Sequence, residues 1–418
     1  MFLSYQYRIY PLRAQLPTLA HYLGELTHLW NHALEERRNA WEKERRRVSC
    51  IDQQDRLKTW RAYDHDGLGR VPYSLARDIL QRLDVGFQAF FRNAKSGDRR
   101  GYPRFRRETT SFTFVPGSDP WSGGPNGTWR LQVPRLGAIP VRRHRAPPRG
   151  TVKAVTISRE VAAWYATFQY EVPDPAPPFP QLSRTPVGVD LGLTHLAFLS
   201  TGESVEAPQF LRRAERKLRR EQRHLSRKES GSCRYGRQRD KVARCHARVR
   251  RQRKWLAHQL SHDWSERFDL IAFEDLSIQP MMRNRLVSRS ISDAGWGLLR
   301  RMCEYKQALR SGTYVEVPAQ GTTQTCSNCG RVADPPLTLY ERWYDCPCGY
   351  EANRDLNAAR NILERGLHEV RRNTAELTRV DGMPPPARKG RRAYQRRREN
   401  ATRPASPEWA QSPISGRG

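Results

Sequence analysis

The stretch that most constrains this chain lies late in it. It runs Cys326-Ser-Asn-Cys329-Gly330, then Cys346-Pro-Cys348-Gly349-Tyr350, then Asn353-Arg354-Asp355-Leu356-Asn357-Ala358-Ala359. The two cysteine pairs stand 16 residues apart, close to the spacing of a small zinc ribbon. Four thiolates around one zinc leave no open position, so such a site is structural, and a glycine after each pair lets the backbone turn around a metal. Asn353 then caps a helix that begins near Asp355 and continues through Ile362 and Leu363. A carboxylate is thereby pinned to a helix start beside a metal knuckle.

Two more acids end apolar runs. Pro186-Val-Gly-Val-Asp190-Leu-Gly192, followed by Leu196 to Leu199, reads as one buried-type strand and the start of the next. Phe268-Asp-Leu-Ile-Ala-Phe273-Glu274-Asp275 reads as another. Each carries a carboxylate at its C-terminal tip, where α/β sheets bind ligands. Asp190 alone reads more readily as the opening of a hairpin turn. Three carboxylates gathered together repel unless cations neutralise them, and oxygen-only donors suit magnesium. Two such ions about 3.5–4 Å apart hydrolyse phosphodiesters. Spacing leaves open whether the three converge.

The net charge of +31 and a pI near 10.5 point to a polyanionic partner. Residues 212–254 alone hold 19 Lys or Arg against 4 Asp or Glu, with Leu218, Leu225, Val242 and Val249 as a sparse apolar seam. They read as a pair of long helices turning at Gly231 to Gly236. With 418 residues the chain has room for two or three domains. No apolar run approaches the ~20 residues of a membrane span, and the first residues lack a signal-peptide pattern. Cys50, Cys233, Cys245 and Cys303 are scattered, which fits a reducing interior better than a disulfide framework. A soluble, cytoplasmic, nucleoid-associated protein with no membrane partner is expected.

Along the chain, residues 2–10 alternate as a strand, and helical spacing covers 15–47 and about 74–94. Four β-type segments between 100 and 172 predict a small antiparallel barrel, with residues 2–10 as its first strand and the helices as an insertion. Tyr102-Pro-Arg104-Phe105-Arg106-Arg107 interleaves aromatics with cations, as a stacking and phosphate-gripping loop does, although core packing explains Phe105 equally well. Arg104 and Arg106, with Arg77 and Gln81 on the second helix, are candidate nucleic-acid contacts. Five prolines between 173 and 180 predict a stiff linker. Ser290 to Trp296 opens an amphipathic helix, Val315-Glu-Val317 is a short strand, and the Arg-, Pro- and Ser-rich chain after about 371 predicts a disordered basic tail.

Several phrases together resemble the TnpB (OrfB) proteins of insertion sequences, relatives of type V CRISPR effectors and of Fanzor proteins. They are Val-Gly-Val-Asp190-Leu-Gly-Leu, Phe-Glu274-Asp-Leu, Ser-Ile-Ser-Asp293-Ala-Gly-Trp296, Thr-Cys326-Ser-Asn-Cys329-Gly and Asn353-Arg-Asp355-Leu-Asn-Ala-Ala. The resemblance spans most of residues 1–365, including Tyr10-Pro11 and Gly101-Tyr-Pro-Arg-Phe105. It implies an α/β multidomain chain: a RuvC-like nuclease of RNase H fold with an inserted zinc ribbon, and an antiparallel β-barrel wedge with an inserted α-helical recognition lobe.

The implied boundaries are a first wedge strand at 1–10, a recognition lobe at 11–95, and a wedge with its Pro-rich linker at 96–180. The nuclease with the basic hairpin then occupies 181–320, the ribbon 321–350, the last nuclease helix 351–370 and the tail 371–418. The resemblance further implies that Asp190, Glu274 and Asp355 hold two Mg2+ ions, that Arg342 lies near the scissile phosphate, and that Cys326, Cys329, Cys346 and Cys348 hold a structural Zn2+. Its partners are a guide RNA from the transposon end and double-stranded target DNA cut beside a short motif, with the protein a monomer on its RNA. Base pairing then supplies target choice. The Cys346-Pro-Cys348 knuckle departs from the family pattern, which has two residues between, and predicts weaker or strained zinc binding. A transposase and a nuclease-inactive guided repressor are the alternatives. A sugar-kinase or actin-like ATPase fits the charge and the Asn353-Arg-Asp355 motif poorly.

Overall fold

A computed structural model describes residues 1–96, 101–123, 129–161, 163–173, 185–276, 278–284, 288–338 and 341–378. The Pro-rich segment from 174 and the tail beyond 378 lie outside them. Contacts divide the chain into two compact units, Met1–Pro177 with Gln209–Gln259, and Pro178–Pro208 with Leu260–Gly418.

The first unit joins a helical layer to a sheet. β1 (Phe2–Ile9) leads into α1 (Leu16–Glu44), α2 (Cys50–Tyr63) and α3 (Tyr73–Ser96). Then come β2 (Ser111–Phe114), β3 (Trp121–Gly123), β4 (Trp129–Val133), β5 (Gly137–Arg142), β6 (Thr151–Glu160) and β7 (Ala163–Glu171). These strands form one antiparallel sheet in the order β2-β6-β7-β1-β5-β4-β3. As expected, β1 belongs to this sheet, pairing β7 along its whole length and β5 at its end. The expected barrel does not close: β2 and β3 remain edges among the described residues. Edge strands of four and three residues offer few ladder bonds, and α1 and α3 cover the apolar face instead, sharing one core with β1, β6 and β7.

α2 was not foreseen. Only Gln53 and Leu57 of it are buried, so it lacks an apolar stripe, but Ser49 and Asp52 form a reciprocal capping box at its start. The helices do not turn all their polar residues outward. Arg37 of α1 is buried and binds Gln53 Oε1 at 2.9 Å and Asp84 Oδ1 at 3.0 Å, tying three helices together. The basic segment forms α4 (Phe210–Ser226) and α5 (Cys233–Arg267); the turn precedes Cys233, and Gly236 lies inside α5. Up to Gln259 these helices group with the first unit rather than with the segment around them in sequence.

The second unit holds a five-stranded sheet. β8 (Pro186–Asp190) and β9 (His195–Leu199) form a hairpin extended by β10 (Ser204–Glu206). β11 (Leu270–Glu274) runs parallel to β8 and to β12 (Thr313–Val317), giving the order β10-β9-β8-β11-β12. Between β11 and β12 come α6 (Ile278–Met281), α7 (Ser288–Ala294) and α8 (Trp296–Leu309). The single helix expected from Ser290 is broken at Gly295, whose φ of +68° is left-handed. A ribbon with β13 (Trp343–Asp345) and β14 (Glu351–Asn353) precedes α9 (Arg354–Thr378). α9 runs past residue 371 to Thr378, so the tail expected from 371 is helical at its start, and the rest of that span lies outside the described residues. No helix among the described residues is long and apolar enough to cross a membrane.

Candidate active site

β8 ends on Asp190 and its parallel neighbour β11 ends on Glu274, and the register of Val189 opposite Phe273 sets the two acids abreast. α9 supplies the third. Asn353 Oδ1 accepts the Asp355 backbone N–H at 2.8 Å, so the cap read from sequence forms. α9 reaches this edge because small residues let its backbone lie directly on the sheet. A Cβ on Gly188 of β8 would stand 2.1 Å from Ala359 O, and one on Gly366 of α9 would stand 2.6 Å from Ala272 Cβ of β11.

The charges of Glu274 and Asp355 both act on Asp190. Asp190 is 9 % exposed, and its carboxyl is held well above the ordinary range, first by burial, then by Glu274 and by Asp355. Arg354 and the Leu191 N–H pull the other way. Burial also raises Glu274, opposed by the Thr322 hydroxyl and by Arg365. An all-oxygen cluster whose burial and mutual repulsion oppose ionisation is one that a divalent cation relieves.

Residues not singled out from sequence frame these acids. Thr322 Oγ1 lies 2.6 Å from Glu274 Oε1. His195 Nδ1, at the start of β9, is 4.0 Å from Asp355 Oδ2, and Arg354 Nε is 3.8 Å from Asp355 Oδ1. Arg300 of α8 binds Glu316 Oε1 at 3.0 Å, Leu276 O at 3.3 Å and Asp275 Oδ1 at 3.3 Å, fastening the β11 tip to β12. Arg354 sits inside the Asn353-Asp355 motif and was open to discovery there; Thr322, His195 and Arg300 carry no signal without a fold.

The four ribbon cysteines gather. Cys326 and Cys348 Sγ are 3.8 Å apart, Cys329 and Cys346 Sγ 3.6 Å, and all four lie within 4.8 Å of one another. Tetrahedral Zn–S bonds of about 2.3 Å put sulfurs about 3.8 Å apart, so the set fits zinc. The short knuckle does not hold Cys348 away, because Gly349 turns at φ +82°. Asn328 Nδ2 lies 3.7 Å from Cys348 Sγ and draws that thiol below its ordinary pKa.

Arg342 is exposed and reaches Thr194 Oγ1 at 3.4 Å, on the loop that follows Asp190. The other nucleic-acid candidates belong to the first unit. Arg77 and Gln81 are exposed one turn apart on α3, and Arg77 Nε binds Gln54 Oε1 at 3.1 Å. Arg104 is exposed while its carbonyl accepts Trp30 Nε1. Arg106 is turned inward, with its guanidinium 3.3 Å from the Trp30 ring centroid and its backbone bonded both ways to Asn31. Phe105 is 52 % exposed, so core packing does not explain it.

Residues 167–285 match the OrfB family model of IS605 elements, described as "Probable transposase". Residues 296–362 match "Cas12f1-like, TNB domain", and residues 1–46 match an OrfB "Helix-turn-helix domain", which here is β1, a short turn and α1. A Streptomyces pristinaespiralis protein provisionally named an RNA-guided DNA endonuclease is 33 % identical over 87 % of this chain and 89 % of its own. InsQ of Escherichia coli K12, named in the same provisional way, is 28 % identical over 87 % of this chain and 92 % of its own. Among solved structures, a mini-RNA-guided endonuclease, Cas-phi3, overlaps 88 % of this chain and 92 % of its own at 8 % identity and a TM-score of 0.48. A Cas12f1 complex with guide RNA and target DNA covers 87 % of this chain and 99 % of its own at 14 % identity and 0.33. Those overlaps are loose, and it is the sequence relatives that decide: the chain belongs to the TnpB (OrfB) family of insertion-sequence proteins.

Proposed function

We propose that this chain is an RNA-guided DNA endonuclease of a transposable element, hydrolysing DNA phosphodiesters at Asp190, Glu274 and Asp355 beside a short motif in the target. One observation supports the reading: Asp190 and Glu274 end neighbouring parallel strands, and the buried Asp190 carboxyl is raised by the charges of both Glu274 and Asp355. The strand order, with α9 laid on its centre, supports a RuvC-like nuclease of RNase H fold. Asp190, Glu274 and Asp355 would hold two Mg2+ ions, which would supply water activation and charge stabilisation for phosphodiester hydrolysis. The chain's own part is placement. Asn353 fixes Asp355, Gly188 admits α9, and Arg342 offers a guanidinium to a phosphate from beside Thr194. The four cysteines hold zinc as a structural ion.

The first unit then supplies the wedge and recognition lobe, with Arg77, Gln81 and Arg104 available to nucleic acid and Arg106 supporting the loop that carries Phe105. A net charge of +31 suits a guide RNA and duplex DNA, on which the protein acts as a monomer. The relatives named as RNA-guided endonucleases support the same partners. A transposase reading shares the acids, and end-joined DNA products distinguish it. The test is to purify the chain, sequence its RNA and assay Mg2+-dependent cleavage. A uniform RNA with a transposon-end scaffold, and cleavage abolished by Asp190→Ala, are expected. Random RNA fragments, or cleavage untouched by Asp190→Ala, overturn the reading.

A further inference from the structure

Thr322 lies between β12 and the first cysteine pair and is 1 % exposed. Its hydroxyl stands 2.6 Å from Glu274 Oε1 and 3.0 Å from Ala319 O. A hydroxyl has one proton to donate, and the shorter contact to a charged oxygen takes it. The backbone beneath that hydroxyl is fixed separately. Asn361 Nδ2 donates to Thr322 O at 2.8 Å and to Thr325 O at 2.6 Å. Asn357 Nδ2 donates to Thr325 O at 2.7 Å, and its Oδ1 accepts the Ser327 N–H at 2.8 Å. Both asparagines are buried on α9, the helix that carries Asp355. The turn that leads into the ribbon, one acid and the helix bearing another are thus stitched into one hydrogen-bonded unit.

We propose that Thr322 is a positioning residue for Glu274. It claims one lone pair of Oε1 and leaves Oε2 and the remaining lone pair of Oε1 to a divalent cation. A glutamate has three side-chain torsions, and burial alone does not select among them; a donor whose own backbone is held by the buried Asn361 does. The inference rests on the metal-site reading of the three acids. Partners of metal-ligating carboxylates are worth about 10–100-fold in metal affinity or activity.

The test uses the full chain with its co-purified RNA and compares Thr322→Val, Thr322→Ser and Glu274→Ala with wild type. Iron(II) with ascorbate and peroxide cuts the polypeptide where the metal sits, and its concentration dependence at residues near 190, 274 and 355 reads site occupancy apart from RNA-bound metal. DNA cleavage against Mg2+ concentration is measured beside it. Thr322→Val is expected to raise the half-saturating metal concentration about 10–100-fold in both assays, with cleavage recovering at high Mg2+, and Thr322→Ser to restore wild-type values. A wild-type titration for Thr322→Val, or a Thr322→Ser variant as impaired as Thr322→Val, overturns the proposal. If Glu274→Ala keeps both local iron cutting and DNA cleavage, the metal-site reading itself fails.

Discussion

Gly188 and Ala359 approach so closely that a Cβ on the glycine would fall 2.1 Å from the Ala359 carbonyl oxygen. The strand that ends in Asp190 and the helix that begins beside Asp355 therefore touch backbone to backbone. Gly188→Ala has to push α9 off the sheet. Overpacking of this kind costs about 1–3 kcal/mol, and rigid backbone on both sides puts the cost at the top of that range. The urea midpoint should fall, and cleavage should fall further than stability does because Asp355 moves. Gly366→Ala should also destabilise, through Ala272, and Ala272→Gly should restore part of the loss. Additive losses in that double variant would show that the contact does not limit packing.

The raised acids make stability in the absence of Mg2+ depend on pH. A carboxyl whose folded pKa lies above its unfolded value of about 4 binds more protons folded than unfolded between the two values. Stability therefore falls as pH climbs from about 4 through the raised pKa values of Asp190 and Glu274. Asp190→Asn should melt above wild type at neutral pH without Mg2+, and the gap should close toward pH 4, where Asp190 is protonated. Mg2+ should narrow the same gap by stabilising wild type alone. Cleavage should be lost in the variant throughout. A gap independent of pH would mean that Asp190 carries no buried charge.

Sulfur spacing in the ribbon predicts stoichiometric zinc despite the two-cysteine knuckle of three residues. Metal analysis should find about one zinc per chain, and Cys348→Ser should lose it to a chelator that leaves wild type loaded. In the ribbon, Cys326, Cys346 and Tyr344 form a small core. Removing zinc should expose Tyr344 fluorescence to quenching while the β8–β11 sheet keeps its hydrogen-exchange protection. Undiminished zinc in Cys348→Ser would remove Cys348 from the ligand set.

The sequence made the site legible because its parts are local. An apolar run ending in an acid, Asn353 before Asp355 and paired cysteines each show within a few residues, whereas the close approach at Gly188 shows only in the fold. The long amphipathic helices and β1 as a partner of later strands were legible for the same reason. What failed was closure and polarity. No local pattern distinguishes a closed barrel from a sheet whose apolar face is covered by α1 and α3, and α2 lacks the stripe that reveals a helix. Arg37 and Gln53 resemble solvated surface until three helices meet around them. Thr322 is one threonine among neighbours until Glu274 is found 2.6 Å away.

The α4–α5 pair offers the most direct test of the polyanion argument. Arg213, Arg216, Lys217 and Arg223 are exposed on α4, whereas Leu218 is buried. Replacing those four cations with alanine, a better helix former, leaves the packed face intact. If each neutralises one phosphate of a single-stranded segment of the guide, the slope of log K against log salt should shrink by about 0.7 per residue, or about 3 in total. Contacts to a duplex would shrink it by about 0.9 each. Filter binding of the co-purified RNA across a salt series measures the slope directly. An unchanged slope with an unchanged helical spectrum would show that this face is merely solvated, and that the RNA is held elsewhere on the chain.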